Sequence, residues 1–220
     1  MGLRMIADAR IVPCMNHLAH VFLAGPDPNL QLGGLLADFH RGAPDPAWRD
    51  GVRNGVVLHR KIDGYTDGHA VVARLRDLFE PPFRRFAGIL IDIYFDHALA
   101  RHWNDHARDE TLDAVSERTL RLVDDNRDWL PPELMRFATY MRANRLFGAY
   151  AQREMIEKVL FGVSSRLRHA NPLAEAGPAL WKNAQLLDAG FEEFFPDLIA
   201  FAKSFHNDHN EMESHSATRR

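Results

Sequence analysis

The chain has 220 residues, a formal net charge of -3 and a single cysteine, Cys14. Its length suits one domain with a continuous hydrophobic core, and one cysteine excludes an internal disulfide and a multi-cysteine zinc site. The slightly acidic balance provides no global positive field for nucleic acid, and no apolar run approaches the roughly 20 residues of a membrane span. These features predict a cytoplasmic protein that binds neither nucleic acid nor a membrane.

Proline and glycine clusters divide the chain into segments with helical periodicity, and strand signals are scarce. We therefore predict an all-α fold with a single compact helical domain over residues 15–205. Residues 1–14 carry mixed charge and are predicted to be an N-terminal extension or an alternative translation start. Residues 206–220 are polar and lack apolar periodicity, which predicts a disordered tail.

Apolar residues at helical spacing predict the order of the helices in this domain. Residues 48–79 contain four glycines, so two helices with a joint near 63–67 fit better than one helix. The apolar residues of 83–103 extend beyond one face, which predicts a central and largely buried helix. Further helices are predicted over 132–161 and 180–205, the last interrupted by Pro196.

Four clusters of histidine and carboxylate side chains lie within or beside these apolar segments. They are His17 with His20, Asp38 after Leu35-Leu36-Ala37, His59 with Asp63 and Asp67, and Asp92 with Asp96, His97 and His102. A carboxylate is costly to bury without compensation, so such a set should be paired, hydrogen-bonded or coordinated to a cation. Mixed imidazole and carboxylate ligands suit Mn, Fe, Zn, Co or Mg. The clusters therefore predict a divalent-metal site for phosphoester hydrolysis, in which the cation activates water and neutralises phosphoryl oxygens.

Spacing within two of the clusters supports a shared site but leaves alternatives. His59 and Asp63 are four residues apart, as are Asp92 and Asp96, so each pair projects from one helix face. An ordinary helical ion pair also explains His59 with Asp63. Two like charges on one turn of an apolar helix repel each other unless a cation or an arginine lies between them, which favours a functional role for Asp92 and Asp96. His97 is rotated by about 100° from Asp96, so the two need not share a target.

Several of these residues also fit ordinary structural roles. By itself His17 fits a surface or capping histidine, whereas His20 lies between apolar residues and fits either role. Asp38 fits a cap of the turn towards Gly42 as well as a functional group. The histidines that lack apolar surroundings are predicted to lie on the surface: His40, His69 and His106.

In their order and content the four clusters resemble the acyl-carrier-protein phosphodiesterase family, also called acyl-carrier-protein hydrolases, whose members remove 4'-phosphopantetheine from the carrier protein. The resemblance covers roughly residues 15–205. The matching residues are Asn16 with Leu18-Ala19-His20, Gly33 with Leu35-Leu36-Ala37-Asp38-Phe39 and Arg41-Gly42, His59-Arg60 with Ile62-Asp63, Asp67, and Asp92 with Asp96-His97 and His102-Trp103.

This resemblance implies a helical fold related to the histidine-aspartate metal phosphohydrolases, a divalent cation commonly supplied as Mn²⁺ or Mg²⁺, and a protein substrate. The chain carries Asp96-His97 in the reverse of the usual His-Asp order, so the usual motif does not transfer directly. The metal ligands that we predict are His20, Asp38, Asp96 and His97. The other predicted roles are catalysis for Asp38, additional coordination or proton transfer for His59 and Asp63, orientation of a ligand for Asp92, and phosphate contacts for Arg41 and Arg60.

Carrier proteins are acidic, so the resemblance also implies a locally basic docking face on this acidic chain. The candidate docking residues are Arg84, Arg85, Arg142, Arg145, Arg166 and Arg168. Ordinary solvated arginines on helix faces explain the same residues. Two other functions stay open. One is a metal phosphohydrolase acting on a nucleotide or another small phosphodiester, and the other is a noncatalytic helical binding protein whose acids and histidines form core polar networks.

Overall fold

The computed structural model describes the backbone of residues 17–217 and the side chains of residues 17–207. This part of the chain contains twelve α-helices and no β-strand, which confirms the predicted all-α fold. The predicted extension at 1–14 lies outside the described residues, and the predicted relation to the histidine-aspartate phosphohydrolases stays a prediction. The helices are α1 (His17–Leu23), α2 (Pro28–Ala37), α3 (Asp50–Gly68), α4 (Ala70–Arg76), α5 (Ala87–Arg101), α6 (Trp103–His106), α7 (Leu112–Asp125), α8 (Pro132–Asn144), α9 (Leu146–Ala149), α10 (Arg153–Arg166), α11 (Gly177–Lys182) and α12 (Ala184–Ala217), with 3₁₀ turns at Arg84–Phe86 and Leu173–Glu175.

Helix α5 is the central element of the core, as its broad apolar surface predicts. It packs against α1, α4, α10 and α12. Leu90, Ile91 and Leu99 are fully buried in one continuous hydrophobic cluster that includes residues from most of the other helices. None of the described helices is long and apolar enough to cross a membrane.

Two glycines allow α2 and α3 to cross at very short range. A Cβ atom on Gly33 would overlap the carbonyl oxygen of Val52, and a Cβ atom on Gly55 would overlap the carbonyl oxygen of Leu30. Backbone therefore meets backbone at this crossing, where any side chain larger than hydrogen would force the helices apart. The crossing brings the residue after α2, Asp38, against the face of α3.

Helix boundaries differ from the sequence prediction in the first half of the domain. Residues 48–79 do form two helices, but the joint lies at His69 rather than at 63–67. The His69 ring accepts a hydrogen bond from the backbone N–H of Val71 at 3.3 Å and so caps the start of α4. This cap makes the predicted surface histidine part of the helix boundary. A left-handed backbone at Arg145, with φ of 47°, separates α8 from α9 within the segment predicted as one helix.

The last helix is longer than predicted. Pro196 does not interrupt α12, because the neighbouring Phe194, Phe195 and Leu198 are buried and hold the helix against the core on both sides of it. Helical backbone continues to Ala217, which corrects the predicted disorder from residue 206 over that range. Extending an existing helix costs far less free energy than starting one, so a polar sequence without apolar periodicity can still continue it.

Candidate metal centre

Three segments bring together five side chains that we call the His-Asp cluster. Helix α1 supplies His17 and His20, the residue after α2 is Asp38, and α3 supplies His59 and Asp63. The three histidines are at most 4% exposed, and the Asp38 side chain is 3% exposed. Asp63 is the open edge of the cluster, since 30% of its side chain is accessible. The cluster is thus buried except on the side of Asp63.

Asp63 bridges two stacked imidazole rings. Its Oδ1 lies 3.1 Å from Nε2 of His20, and its Oδ2 lies 3.3 Å from Nε2 of His59. The two rings stack with centroids 3.7 Å apart and planes tilted by 14°. One ligand atom from each of these three residues lies within 4.8 Å of the other two. Two histidine nitrogens and a carboxylate therefore converge on a small volume.

Asp38 extends the cluster from the other side of His59. Its Oδ1 lies 3.6 Å from Nε2 of His59, and its Oδ2 lies 3.1 Å from Nδ1 of His17. His17 also packs against the ring of Phe137, with centroids 4.3 Å apart. The prediction of a surface histidine at this position is wrong. The signal that points to the cluster is the three-residue spacing to His20, which places both rings on one side of α1.

Burial and the neighbouring charges shift the pKa values of the cluster in opposite directions. Burial, followed by the nearby His59, lowers the pKa of His20. Burial acts in the same direction on His59, but the hydrogen bond to Asp63 and the charge of Asp38 outweigh it and raise the pKa of His59. Burial works against ionisation of Asp63, yet its hydrogen bonds to His20 and His59 lower its pKa well below the usual range. These shifts favour the charged forms of Asp63 and His59 and the neutral form of His20.

The residues present fit a divalent cation. Ligand atoms that each lie about 2.1 Å from an ion are separated by roughly 3 to 3.5 Å, and both distances to Asp63 fall in this range. Nδ1 of His20 is buried without a hydrogen-bond partner in the described part of the chain, so the contact of Nε2 with Asp63 is the polar contact that orients the ring. The open edge at Asp63 leaves room for a further ligand, as catalytic metal sites require.

Asp96, a predicted metal ligand, lies beneath α1 and binds its backbone. Its Oδ2 accepts a hydrogen bond from the N–H of Leu18 at 3.0 Å, and its Oδ1 accepts one from the N–H of Ala19 at 2.9 Å. Asp96 is fully buried, which raises its pKa well above the usual range although the two amide hydrogen bonds act in the opposite direction. The geometry shows a carboxyl group that fixes the start of α1, the helix that carries His20.

His97, predicted as a ligand, is not brought to the cluster. Its Nδ1 lies 2.7 Å from the carbonyl oxygen of Tyr150, and its ring contacts Tyr94 and Trp181. Among the described residues, the group with ligand atoms within 4.8 Å of one another contains neither His97 nor Asp96. His97 therefore has packing and hydrogen-bond partners of its own, consistent with its rotation of about 100° from Asp96 around α5.

Asp92 lines a neighbouring cavity of about 350 Å³, which we call the arginine pocket. Its other polar lining residues are Asp67, Arg76, Arg84 and Arg85. Burial, followed by the charges of Asp63 and Asp67, raises the pKa of Asp92 to about 8. The electrostatic influence of Asp63 on Asp92 links the pocket to the cluster.

The two arginines predicted to contact phosphate lie on the surface. Arg41 is exposed, three residues beyond Asp38. Arg60 is also exposed, and its Nη2 donates a hydrogen bond to the carbonyl oxygen of His40 at 3.2 Å. Both are close in sequence to cluster residues, Asp38 and His59, but no contact of either arginine with a cluster side chain is seen among the described residues.

Comparison with known proteins identifies the family. A family profile described as acyl carrier protein phosphodiesterase matches residues 15–198. Acyl carrier protein phosphodiesterases from Serratia proteamaculans (strain 568) and Enterobacter sp. (strain 638) are each 32% identical, with 86% of this chain and 98% of the relative covered. The corresponding protein of Escherichia coli O139:H28 is 31% identical, with 86% and 97% covered. No solved structure matches the chain significantly. The chain belongs to the acyl carrier protein phosphodiesterase family.

Proposed function

We propose that the chain hydrolyses the phosphodiester that joins 4'-phosphopantetheine to a serine of holo acyl carrier protein, releasing the apo protein, and that it needs a divalent cation, Mn²⁺ or else Mg²⁺. Membership of the family supports the reaction and the substrate. The observation that carries the metal requirement is the convergence of His20, His59 and Asp63 within 4.8 Å. Mixed nitrogen and oxygen ligands suit Mn²⁺, and Mg²⁺ favours oxygen ligands more strongly.

Within the His-Asp cluster, the buried His20 and His59 and the partly exposed Asp63 would hold the cation together. Nε2 of His20 and Nε2 of His59 both contact oxygens of Asp63, so each nitrogen must be free of its proton before it coordinates a cation. The lowered pKa of His20 favours this release, and the raised pKa of His59 opposes it. Asp63 offers an ionised carboxylate at the open edge of the cluster. A bound divalent cation supplies charge neutralisation at the phosphoryl oxygens and lowers the pKa of water.

Asp38 is the group that we assign to proton transfer. Hydrolysis requires removal of a proton from the attacking water and delivery of a proton to the departing serine oxygen. The Asp38 carboxylate is held on one side by His17 at 3.1 Å and lies 3.6 Å from His59 on the other. His17 orients this carboxylate, and Asp38 can pass a proton between the two imidazoles and the reacting oxygens. Asp38 also remains a proposed ligand, with Asp96 and His97 as weaker candidates whose contacts lie elsewhere.

Arg41 and Arg60 are proposed to contact the phosphate from the surface. Both guanidinium groups are exposed, and the hydrogen bond from Arg60 to the His40 carbonyl oxygen orients that side chain along the segment that follows Asp38. Arginine binds phosphate oxygens through two parallel donors, so either residue could orient the substrate without touching the cation.

The test is a mass measurement on the carrier protein. Protein stripped with a chelator should leave holo carrier protein intact, and addition of Mn²⁺ should restore its conversion to the lighter apo form. Full activity after complete metal removal would refute the metal requirement. Hydrolysis of a small synthetic diester without release of phosphopantetheine would instead favour a small-molecule phosphodiesterase, and a stability that neither chelator nor Mn²⁺ changes, with no activity, would favour a binding protein.

A further inference from the structure

The arginine pocket has an excess of positive charge. Arg76 is hydrogen-bonded to the carboxylate of Asp67, and Arg84 pairs with Asp77 at 2.6 Å outside the pocket lining. Arg85 lies over the ring of Phe86, 4.5 Å from its centroid, and makes no ion pair within the described part of the chain. Asp92, the second acid of the pocket, is largely protonated at neutral pH because burial raises its pKa to about 8. The lining therefore holds three guanidinium groups against two carboxyl groups, one of which has a raised pKa.

The position of the pocket ties it to the His-Asp cluster. Asp67 follows Asp63 by four residues on α3, so the pocket lies about one helical turn, roughly 5 Å, beyond the cluster along that helix. On α5, Asp92 precedes Asp96, which binds the backbone of α1, by four residues. Asp63 is the most exposed cluster residue, and its charge acts on Asp92 in the pocket lining. A substrate that reaches the cluster from solvent passes beside the pocket.

We infer that the arginine pocket binds a carboxylate of the carrier protein close to the serine that carries phosphopantetheine. This inference rests on the proposed function. The phosphorus–oxygen bond to be cleaved is made by the serine oxygen itself, so the surface of the carrier protein must approach the cluster to within a side-chain length. Acidic side chains beside that serine then lie within reach of Arg85 and Arg84.

The distribution of negative charge on the substrate indicates which group binds in the arginine pocket. The phosphodiester is neutralised at the cluster, and the pantetheine arm carries no charge, so the remaining anions of the substrate are carboxylates of the carrier protein. Guanidinium groups bind carboxylates through two parallel hydrogen bonds. The exposed pair between Arg84 and Asp77 exchanges partners readily, and Arg85 has no acidic partner to release.

Two other arginines predicted as docking residues are already engaged. Arg142 pairs with Asp124 and Arg145 pairs with Asp113, each at 2.6 Å. Neither belongs to the lining of the arginine pocket. Arg84 is paired at the same distance, so the structure favours Arg85 for its lack of an ion pair and Arg84 only for its place in the pocket lining.

The experiment compares the charge reversals Arg85→Glu and Arg121→Glu in the full chain. Both arginines are exposed and lack an ion pair in the described part of the chain, and Arg121 lies on α7, away from the pocket lining. The dissociation constant of apo carrier protein is measured with metal bound, and that of holo carrier protein after the metal has been removed, so that the holo form is not hydrolysed. Both are measured at low and high ionic strength. Arg85→Glu should weaken binding of both forms about tenfold at low ionic strength and reduce the salt dependence, with manganese content unchanged. Arg121→Glu should bind both forms as the wild type does.

The outcomes separate this inference from the proposed function. Weaker binding of the holo form alone would overturn it, because the pocket would then hold the pantetheine arm. Equal weakening by Arg85→Glu and Arg121→Glu would overturn it as well, because only the overall charge would matter. Unchanged binding by Arg85→Glu, with wild-type protein still releasing phosphopantetheine, would reject the docking site and leave the proposed function intact. A wild-type protein that releases no phosphopantetheine would refute the proposed function instead.

Discussion

Two pairs of side chains with the same four-residue spacing, one on α3 and one on α5, make different kinds of contact. On α3, His59 and Asp63 both face the His-Asp cluster and contact each other at 3.3 Å. On α5, the two carboxylates separate: Asp96 binds the amides of Leu18 and Ala19, while Asp92 lines the arginine pocket. The difference arises from what packs over each face. The face of α3 meets one short helix and the residue after another, whereas the face of α5 runs from beneath α1 into a surface cavity.

This comparison shows that spacing predicts a shared face but not a shared partner. The repulsion expected between Asp92 and Asp96 is reduced because burial raises the pKa of both carboxyl groups, and two amides bind Asp96. The helical ion pair considered for His59 and Asp63 is present at 3.3 Å, and its histidine is 4% exposed and stacks on His20.

The substitution Asp63→Ala should give the largest effect. It removes the carboxylate that bridges His20 and His59, so we expect the affinity for Mn²⁺ and the release of phosphopantetheine to fall by more than about 100-fold. Stability without metal should fall by only about 1 kcal/mol, because the lost contacts are partly exposed. Metal titration by calorimetry measures the first quantity and urea unfolding in chelator the second. The matched control is Asp67→Ala, one turn further along α3, which should keep metal affinity close to that of the wild type.

The substitution Asp96→Asn should lower the stability of the fold more than it lowers the affinity for Mn²⁺. An asparagine side chain has one acceptor oxygen, so one of the two amides of α1 would lose its partner in a buried position, at a cost of about 1 to 3 kcal/mol. Urea unfolding in the presence of chelator measures this loss. If stability were unchanged while manganese affinity collapsed, Asp96 would be the ligand that the sequence predicts, and the contrast between α3 and α5 would disappear.

The smallest effect concerns the pH dependence of stability. The pKa of Asp92 is raised in the folded protein to about 8, from an ordinary value near 4 in the unfolded chain, so the folded state binds the extra proton between these values. Stability from this residue is therefore present below about pH 4 and declines as the pH rises towards 8. The Asp92→Asn variant should reduce that decline by about 1 to 2 kcal/mol, because each pKa unit corresponds to about 1.4 kcal/mol and Asp92 is only partly buried. Urea midpoints at several pH values test this, and an identical decline in both proteins would contradict it.

The fold class and the central position of α5 could be predicted from the sequence, because apolar periodicity is local and strong there. Helix boundaries that depend on contacts between residues far apart in the sequence could not be predicted. The joint at His69 uses a histidine ring as a helix cap, which is not a common cap residue. The passage of α12 through Pro196 depends on burial of the phenylalanines around it, which propensity alone does not report.

In the candidate site, too, the features that depend on distant contacts could not be predicted from the sequence. His20, Asp38, His59 and Asp63 could be selected from the sequence because they combine metal-ligand chemistry with apolar neighbours and a family resemblance. The contact of His17 with Asp38 could not be predicted, because Asp38 lies 21 residues away and is brought close by the crossing of α2 over α3. His97 is predicted as a ligand together with Asp96 after the family resemblance, but its ring contacts Tyr94 and Trp181.

The crossing at Gly33 and Gly55 has a consequence for how mutations in this protein are interpreted. Alanine at either position would place a methyl group on the opposite backbone and widen the space between the segments that carry Asp38 and His59. A saturation scan scored by activity alone would therefore rank these glycines beside the histidines, although neither offers an atom to the substrate. Measuring protein abundance in the same scan would separate the two classes, because loss of helix packing depletes the protein whereas loss of a ligand leaves it intact and inactive.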